Sequence, residues 1–257
     1  AAIQEYFDET ALRQRVEKTS VFDERILEDT SPSALGRHLK NERLEQTYRQ
    51  GKFLFVQTSS GGWLVLHFGM SGELAYYEQT DGPPGYSRVV FQFDSGGALA
   101  YISRRMLGRV GFTDDPEQYV AAQEIGPDAL GPDFTVEHLA EGLAARNAQL
   151  KSRLMDQSLV SGLGNIYADE VLFQAGLHPK TKAGALGHED VVRLHRIIRR
   201  VLETAVNHHA VIEELPGRYL LRHRETDERC PACGGELDTT SVSGRTTHFC
   251  PACQKKK

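Results

Sequence analysis

Short apolar runs separated by turn residues dominate the first half of the chain. Four of these runs are rich in β-branched or aromatic residues, and they cover 53–56, 63–66, 89–91 and 99–101. The segments Ser59-Ser60-Gly61-Gly62 and Asp94-Ser95-Gly96-Gly97 interrupt them with residues typical of hairpin turns. This pattern predicts an antiparallel β-sandwich or barrel of about 100 residues.

Helical spacing precedes and follows this β-rich region. Residues 3–18 predict a leading helix, whose apolar side consists of Ile3, Tyr6, Phe7, Leu12 and Val16. After residue 116 the spacing predicts further helices, which cover 136–146, 150–157, 165–175 and 188–207. The predicted fold class is therefore α+β, with an N-terminal β-sandwich lobe and leading helix at 1–115, a helical lobe at 130–215 and a C-terminal four-cysteine hairpin at 229–257.

All four cysteines lie near the C-terminus as two identical pairs, Cys230-Pro231-Ala232-Cys233 and Cys250-Pro251-Ala252-Cys253. Two C-x2-C pairs at this spacing predict a zinc-ribbon hairpin that binds one structural zinc ion through four thiolates. A catalytic zinc is not expected, because four thiolates leave no open coordination position. Two disulfides or a thioredoxin-like redox site are the alternatives, but no secretory signal indicates an oxidising compartment and a redox site needs only one pair.

Composition alone does not indicate a partner. The chain has 257 residues, a formal net charge of −5 and a pI near 6.1, which argues against nucleic acid. Basic residues nevertheless cluster, at 104–109, 193–200, 218–224 and 255–257, while many acids lie elsewhere. Such a distribution permits either a basic binding face or ordinary solvated helix faces. No apolar run reaches membrane-spanning length, so we expect a cytoplasmic protein without a membrane partner.

A glycine-rich turn stands out within the predicted helical lobe. Residues 155–170 read MDQSLVSGLGNIYADE, which predicts two helices joined by a tight turn with Asn165 opening the second helix. Backbone N–H groups at a helix N-terminus can bind an anion such as phosphate. A simple corner between two helices is an equally good interpretation from these residues alone.

This segment and the cysteine hairpin together resemble the formamidopyrimidine-DNA glycosylase/endonuclease VIII family. The stretch 155–170 is similar to its helix–two-turn–helix motif, and 244–254 (GRTTHFCPACQ) to its zinc finger. The segments YRQGK at 48–52 and LHFGMSG at 66–72 resemble its N-terminal lobe. The resemblance implies a base-excision repair glycosylase and AP lyase that flips a damaged base out of double-stranded DNA. It implies a nucleoid-associated protein, and we expect a monomer.

The resemblance also implies roles for individual residues. Lys52 would contact phosphate and assist proton transfers, and Arg245 would act at δ-elimination. Met70, Arg105 and Leu107 would fill the gap left by the flipped nucleotide. Lys151, Asn165 and Arg245 would bind the flanking phosphates. The full set predicted to contact DNA comprises His67, Met70, Tyr86, Arg105, Leu107, Arg146, Lys151, Asn165 and Arg245.

The sequence departs from the family pattern at several positions. The family begins with a Pro-Glu lead whose proline amine attacks the sugar, whereas this sequence begins Ala1-Ala2-Ile3. We expect a polypeptide with this start to have little glycosylase activity, and a missing N-terminus explains the difference better than natural loss. Tyr86 stands where the family commonly has histidine, and Leu107 where it has phenylalanine.

Three hypotheses follow for function. The first is a glycosylase and AP lyase that removes oxidised bases, purines on motif similarity, and nicks the strand by β,δ-elimination. The second is a non-catalytic protein that binds DNA lesions or abasic sites, and the third is a zinc-ribbon scaffold that binds proteins. In the first, the resemblance implies a flexible loop at about 215–228 that covers the flipped base; its polar contents are Arg218, Tyr219, Arg222, His223 and Arg224.

Overall fold

The fold is taken from a computed structural model that describes residues 2–69, 72–144, 147–225 and 228–257. Ala1, Met70 and Arg146 lie outside the described residues, so the contacts predicted for Met70 and Arg146 stay predictions. The chain divides into two compact units, an N-terminal unit (Ala1–Gln123) and a C-terminal unit (Glu124–Lys257). The α+β class is confirmed, with antiparallel sheets in the first unit and most of the helix in the second.

The N-terminal unit is a sandwich of two four-stranded antiparallel sheets. Its strands are β1 (Val16–Val21), β2 (Leu44–Gln50), β3 (Phe53–Thr58), β4 (Trp63–His67), β5 (Gly72–Glu78), β6 (Ser87–Phe93), β7 (Gly97–Ser103) and β8 (Arg109–Thr113). One sheet has the order β1-β6-β7-β5 and the other β2-β3-β4-β8. Apolar side chains of both sheets, such as Leu54, Leu66, Phe91 and Leu99, form one buried core. The two predicted hairpins are confirmed as β3–β4 and β6–β7.

The leading helix is shorter than the predicted 3–18, and that prediction was wrong in its second half. Helix α1 covers Ala2–Thr10, and Val16 belongs to β1. Arg13 has a φ of 69°, in the left-handed region that does not continue a right-handed helix. The N–H of Val16 then donates to the carbonyl of Glu42 at 2.8 Å. Strand pairing therefore overrides the apolar spacing at this point.

Two more helices complete the N-terminal unit, α2 (Pro32–Leu39) and α3 (Pro116–Ala122). Each begins with a proline after a capping residue, since Ser31 accepts the N–H of Ala34, and Asp115 those of Glu117 and Gln118.

The C-terminal unit packs four helices around a second core. They are α4 (Val136–Ala144), α5 (Leu150–Leu154), α6 (Asn165–Ala175) and α7 (His188–Asn207), and a hairpin of β9 (Asp238–Val242) and β10 (Arg245–Phe249) follows. Leu154, Leu172 and Ile198 are among the side chains of this core. All four predicted helices are confirmed, and α5 ends three residues before the predicted 157. In the described part of the chain, no helix is both long and apolar enough to cross a bilayer.

The segment after α7 is not a free loop in its described part. Residues 212–214 and 220–223 form short 3-10 helices, and Leu215, Tyr219 and Leu221 are buried in the helical core. The guanidinium of Arg222 donates to the carbonyl of Leu215, and the His223 ring pairs with that of Gly217. The described residues 215–225 thus have local structure, and the flexible loop predicted at 215–228 to cover a base stays a prediction.

Candidate nucleic-acid interface

The four cysteine sulfurs converge on one point. All four Sγ atoms lie within 4.8 Å of one another, and the cysteines are free thiols rather than disulfides. The Sγ atoms of Cys230 and Cys253 are 3.8 Å apart, and those of Cys233 and Cys250 are 3.7 Å apart. A zinc–sulfur bond of about 2.3 Å gives a tetrahedron with edges of about 3.8 Å. The thiolates therefore fit one tetrahedral zinc, and the structural zinc prediction is confirmed.

The second cysteine pair is docked on the C-terminal end of α6. The side-chain amide of Gln254 accepts the N–H of Cys250 at 2.8 Å and donates to the carbonyl of Leu177 at 2.9 Å. Backbone hydrogen bonds join Lys255 to Gly176 and His178. Because Gln254 is buried, these bonds are shielded from water. The zinc module is thus fixed to the helical core of its own unit.

Arg245 lies at the tip of the zinc-held hairpin. Val242 pairs with Arg245, which leaves Ser243 and Gly244 as a two-residue turn. Their φ values of 50° and 72° are those of a type I′ turn, the turn that suits the twist of a hairpin. The Ser243 hydroxyl also hydrogen-bonds that of Ser152 on α5 at 2.9 Å. Arg245 itself is exposed, so its guanidinium is presented from a rigid support.

A fully buried ion pair lies beneath this tip. The ammonium of Lys151 is 2.7 Å from Oδ1 of Asp169, and neither side chain is exposed to solvent (0% each). Lys151 also donates to the hydroxyl of Thr247 at 2.7 Å, and that hydroxyl donates to the Arg245 carbonyl at 3.2 Å. The other Asp169 oxygen accepts from Arg224 and from the N–H of His248. The pair therefore connects α5, α6 and the hairpin.

This burial revises the role predicted for Lys151. An ammonium with no exposed surface cannot reach a phosphate without breaking its bonds to Asp169 and Thr247. In this structure Lys151 binds the hairpin instead of presenting a charge to solvent.

The glycine turn before α6 places the N-terminus of this helix next to the zinc-held hairpin. Gly162 has a φ of 95°, which only glycine adopts without strain. The Gln157 side chain holds the turn by accepting the N–H of Gly162 at 3.2 Å and donating to the carbonyl of Leu163 at 2.9 Å. Asn165, the first residue of α6, donates its side-chain amide to the carbonyl of Thr246 at 3.3 Å. The first residue of α6 therefore contacts the backbone of the hairpin next to Arg245.

Glu170 connects the same helix to the 3-10 segment at 220–223. Its carboxylate accepts the N–H of Leu221 at 2.9 Å and the amide of Gln174 at 2.8 Å. Burial raises the pKa of Glu170 to about 7, although these hydrogen bonds act in the opposite direction. Two consecutive residues of α6 thus bind different segments. Asp169 binds the hairpin, and Glu170 binds the 3-10 segment at 220–223.

In the N-terminal unit, the predicted residues gather at one end of a sheet. Gly51 and Lys52 form the turn between β2 and β3, and Phe53, His67 and Arg109 then follow in register across three strands. Burial lowers the pKa of His67 to about 4, with help from Lys52 and Arg109. His67 is therefore a neutral hydrogen-bonding group at pH 7.

Arg109 is partly neutralised at this end of the sheet. Its guanidinium is paired with Glu28, and the hydroxyl of Tyr119 donates to the same carboxylate. Burial and this contact with Glu28 raise the pKa of Tyr119 well above its usual range.

The loop from 104 to 108 presents an apolar tip. Leu107 is 45% exposed, although large apolar side chains are usually buried, and Arg105 beside it is also exposed. Gly69 packs against this loop so closely that a Cβ there would lie 2.4 Å from the Leu107 carbonyl. The segment that leads to Met70 therefore abuts the loop that carries Arg105 and Leu107.

Tyr86 lies beside the same loop. Its carbonyl accepts the N–H of Ser103 at 3.2 Å, and its ring is 54% exposed. The guanidinium carbons of Arg104 and Arg88 are 4.9 Å and 5.9 Å from the ring centroid.

Sequence reasoning missed Glu28, Tyr119, Asp169 and Thr247. Asp169 lies inside the GLGNIYADE motif, which was the only signal for it in the sequence. Thr247 lies inside the stretch 244–254, whereas Glu28 and Tyr119 lie in no motif and only the fold brings them to the predicted residues.

Comparisons with known proteins agree with this architecture. Residues 1–110 match the formamidopyrimidine-DNA glycosylase N-terminal domain, residues 125–215 its H2TH domain, and residues 227–256 a zinc finger found in FPG and IleRS. Formamidopyrimidine-DNA glycosylase from Synechococcus elongatus is 35% identical over 87% of this chain and 84% of the relative. The enzyme of that name from Symbiobacterium thermophilum is 35% identical over 94% and 83%.

Solved structures show the same similarity. The Lactococcus lactis formamidopyrimidine-DNA glycosylase bound non-covalently to AP-site DNA has a TM-score of 0.89 and 27% identity, covering 99% of this chain and 97% of that chain. A MutM structure in complex with DNA containing carbocyclic 8-oxo-G has a TM-score of 0.91 at the same identity and coverage. On these matches, the chain belongs to the formamidopyrimidine-DNA glycosylase family.

Proposed function

We propose that this protein is a DNA glycosylase and AP lyase that removes oxidised purines from double-stranded DNA and cleaves the strand by β,δ-elimination. The proposal is supported most by the hydrogen bond that joins Asn165, the first residue of α6, to the backbone of Thr246, the neighbour of the exposed Arg245. A guanidinium, an amide and the N–H groups of a helix end are complementary to the phosphates of a DNA backbone. Relatives of the chain carry the glycosylase name.

The N-terminal unit supplies the second group of proposed contacts. Lys52, in the turn between β2 and β3, binds a phosphate and assists proton transfers. Neutral His67 donates a hydrogen bond to the DNA backbone. Arg105 and Leu107 enter the base step, where the apolar side chain fills the gap and the guanidinium binds the orphaned base. Their exposure and the close packing of Gly69 on the same loop support this role.

The proposed reaction uses a nucleophilic amine. The amine attacks C1′ of the damaged nucleotide, the bond from C1′ to the base breaks, and the base leaves with a proton. The resulting aminal opens as the C1′–O4′ bond breaks and O4′ takes up a proton, which gives a Schiff base. Loss of the C2′ proton then expels the 3′ phosphate, and loss of the C4′ proton expels the 5′ phosphate. Arg245 stabilises charge that develops on a departing phosphate, and Lys52 moves protons at the sugar. The Pro-Glu lead of the family, which would supply the amine, is not within residues 1–257.

Covalent trapping distinguishes this proposal from a non-catalytic lesion binder. Two forms are compared on a duplex with one 8-oxoguanine, residues 1–257 and the same sequence with a Pro-Glu lead added before Ala1. We expect borohydride to capture the extended form on DNA, with base release and strand cleavage, and residues 1–257 to bind with little capture.

A matched duplex with undamaged guanine is the control for this comparison. If neither form is captured while both bind the lesion, the protein is a binder and not a lyase. Efficient capture of residues 1–257 through Ala1 would instead contradict the assignment of the nucleophile to the proline of such a lead.

A further inference from the structure

We propose that Tyr86 and Arg104 form a stacking platform for the orphaned base, the nucleobase opposite the lesion. The inference rests on the proposed function, because a base becomes available for such contact only where its partner is flipped out or missing. It assigns to this pair a part in choosing the base opposite the lesion.

The first support is the geometry of the pair. The Arg104 guanidinium carbon lies 4.9 Å from the centroid of the Tyr86 ring, within the range of a cation–π contact. Arg88 approaches the same ring at 5.9 Å, and its Nε donates to the carbonyl of Ser103 at 2.8 Å. Two cations, Arg88 on β6 and Arg104 in the loop after β7, therefore contact one aromatic ring.

The second support is that the Tyr86 ring is exposed on a strained backbone. Tyr86 is 54% exposed and has a φ of 65°, a strained conformation that bulky residues rarely adopt. The Ser103 N–H and the carbonyl of Tyr86 lock this backbone beside the end of β7. A ring kept rigid in solvent is well suited to stack on a base, because little side-chain entropy is lost on binding.

The third support is charge. Arg104 and Arg105 are consecutive exposed residues, and neither has an acidic partner within the described part of the chain. A guanidinium plane stacks on bases as aromatic rings do, and its charge favours an anionic polymer. With Arg105 proposed to bind the edge of the orphaned base, Tyr86 and Arg104 are placed to cover its face. With contacts to both its face and its edge, the protein's affinity would depend on which base lies opposite the lesion.

The test uses a duplex with a tetrahydrofuran abasic analogue opposite 2-aminopurine, whose fluorescence is quenched by stacking. Tyr86→Leu removes the ring, and Tyr86→Phe is the matched control that keeps it in the same strained backbone. We expect Tyr86→Phe to retain quenching and affinity. Tyr86→Leu should lose the quenching and weaken binding by about 5- to 100-fold, the range for one stacked base. The salt dependence should stay unchanged because no phosphate charge is removed.

Two results would overturn the inference. Equal losses in Tyr86→Phe and Tyr86→Leu would show that the hydroxyl acts, as a phosphate donor would. Full quenching and affinity in Tyr86→Leu would show that no base stacks there. Both results require that the unchanged protein binds this duplex, so a failure of the proposed function itself is seen separately as absence of binding by that protein.

Discussion

Replacing Cys250 with alanine is expected to abolish binding to abasic DNA while the N-terminal unit stays folded. Zinc binding contributes on the order of 10 kcal/mol to the folding of small zinc modules, so three thiolates should not hold the hairpin. Arg245 and the support for Asn165 are then lost together. With each charged hydrogen bond to phosphate contributing about 1.5–3 kcal/mol, affinity should fall by more than about 100-fold.

Trp63 allows the two units to be followed separately. It is the only tryptophan of the chain and lies in β4 of the N-terminal unit. Its emission should be unchanged in Cys250→Ala, while fluorescence anisotropy with labelled abasic duplex should report the loss of binding. Thr239→Ala, on an exposed position of the same hairpin, is the control and should bind normally. Normal binding by Cys250→Ala would show that the zinc hairpin is only a structural staple.

Asp169→Asn is expected to destabilise the C-terminal unit by about 3–5 kcal/mol. The substitution leaves the buried ammonium of Lys151 without its counter-charge and removes the partner of Arg224 as well. Lys151→Met should cost less, because Asp169 then still has Arg224 at 3.3 Å. Urea unfolding of the zinc-loaded protein, followed by far-UV circular dichroism at the helical signal, measures both changes.

An exposed ion pair provides the comparison for these variants. Arg199 and Glu203 lie 3.9 Å apart on α7, and Glu203→Gln should change stability by less than about 1 kcal/mol. If Asp169→Asn were as mild as Glu203→Gln, the buried pair would not hold the hairpin as described. If Lys151→Met were the more damaging variant, the proposed sharing of Asp169 between two cations would be wrong.

The sequence predicts most clearly the features that repeat or that obey strict spacing. The two C-x2-C pairs indicate zinc because tetrahedral thiolate binding needs that spacing, and the structure brings their sulfurs together. The hairpins at 59–62 and 94–97 are predictable because their glycines meet local turn requirements. Helices α4 and α7 follow from apolar spacing, since one face of each is buried in the same core, whereas α6 is buried without interruption from Ala168 to Phe173.

The sequence could not predict features that depend on contacts between distant residues. Val16 continues the apolar side of a helix in the sequence, yet in the structure it lies in a strand and donates its N–H to the carbonyl of Glu42. The charge of Lys151 indicates a surface residue, and only the fold brings Asp169 and Thr247 to it. Similarly, nothing in the sequence indicates that Arg104 lies against the Tyr86 ring.

The most direct test of the account is a comparison of two duplexes of identical sequence, one with an abasic analogue and one intact. Anisotropy titrations are made between about 50 and 200 mM salt, where phosphate contacts weaken steeply. The account predicts affinity for the abasic duplex that falls linearly with salt on logarithmic axes and exceeds that for intact DNA by more than about tenfold, since one stacking contact is worth roughly 1–3 kcal/mol. Equal affinity for the two duplexes, or no binding at low salt, would contradict it.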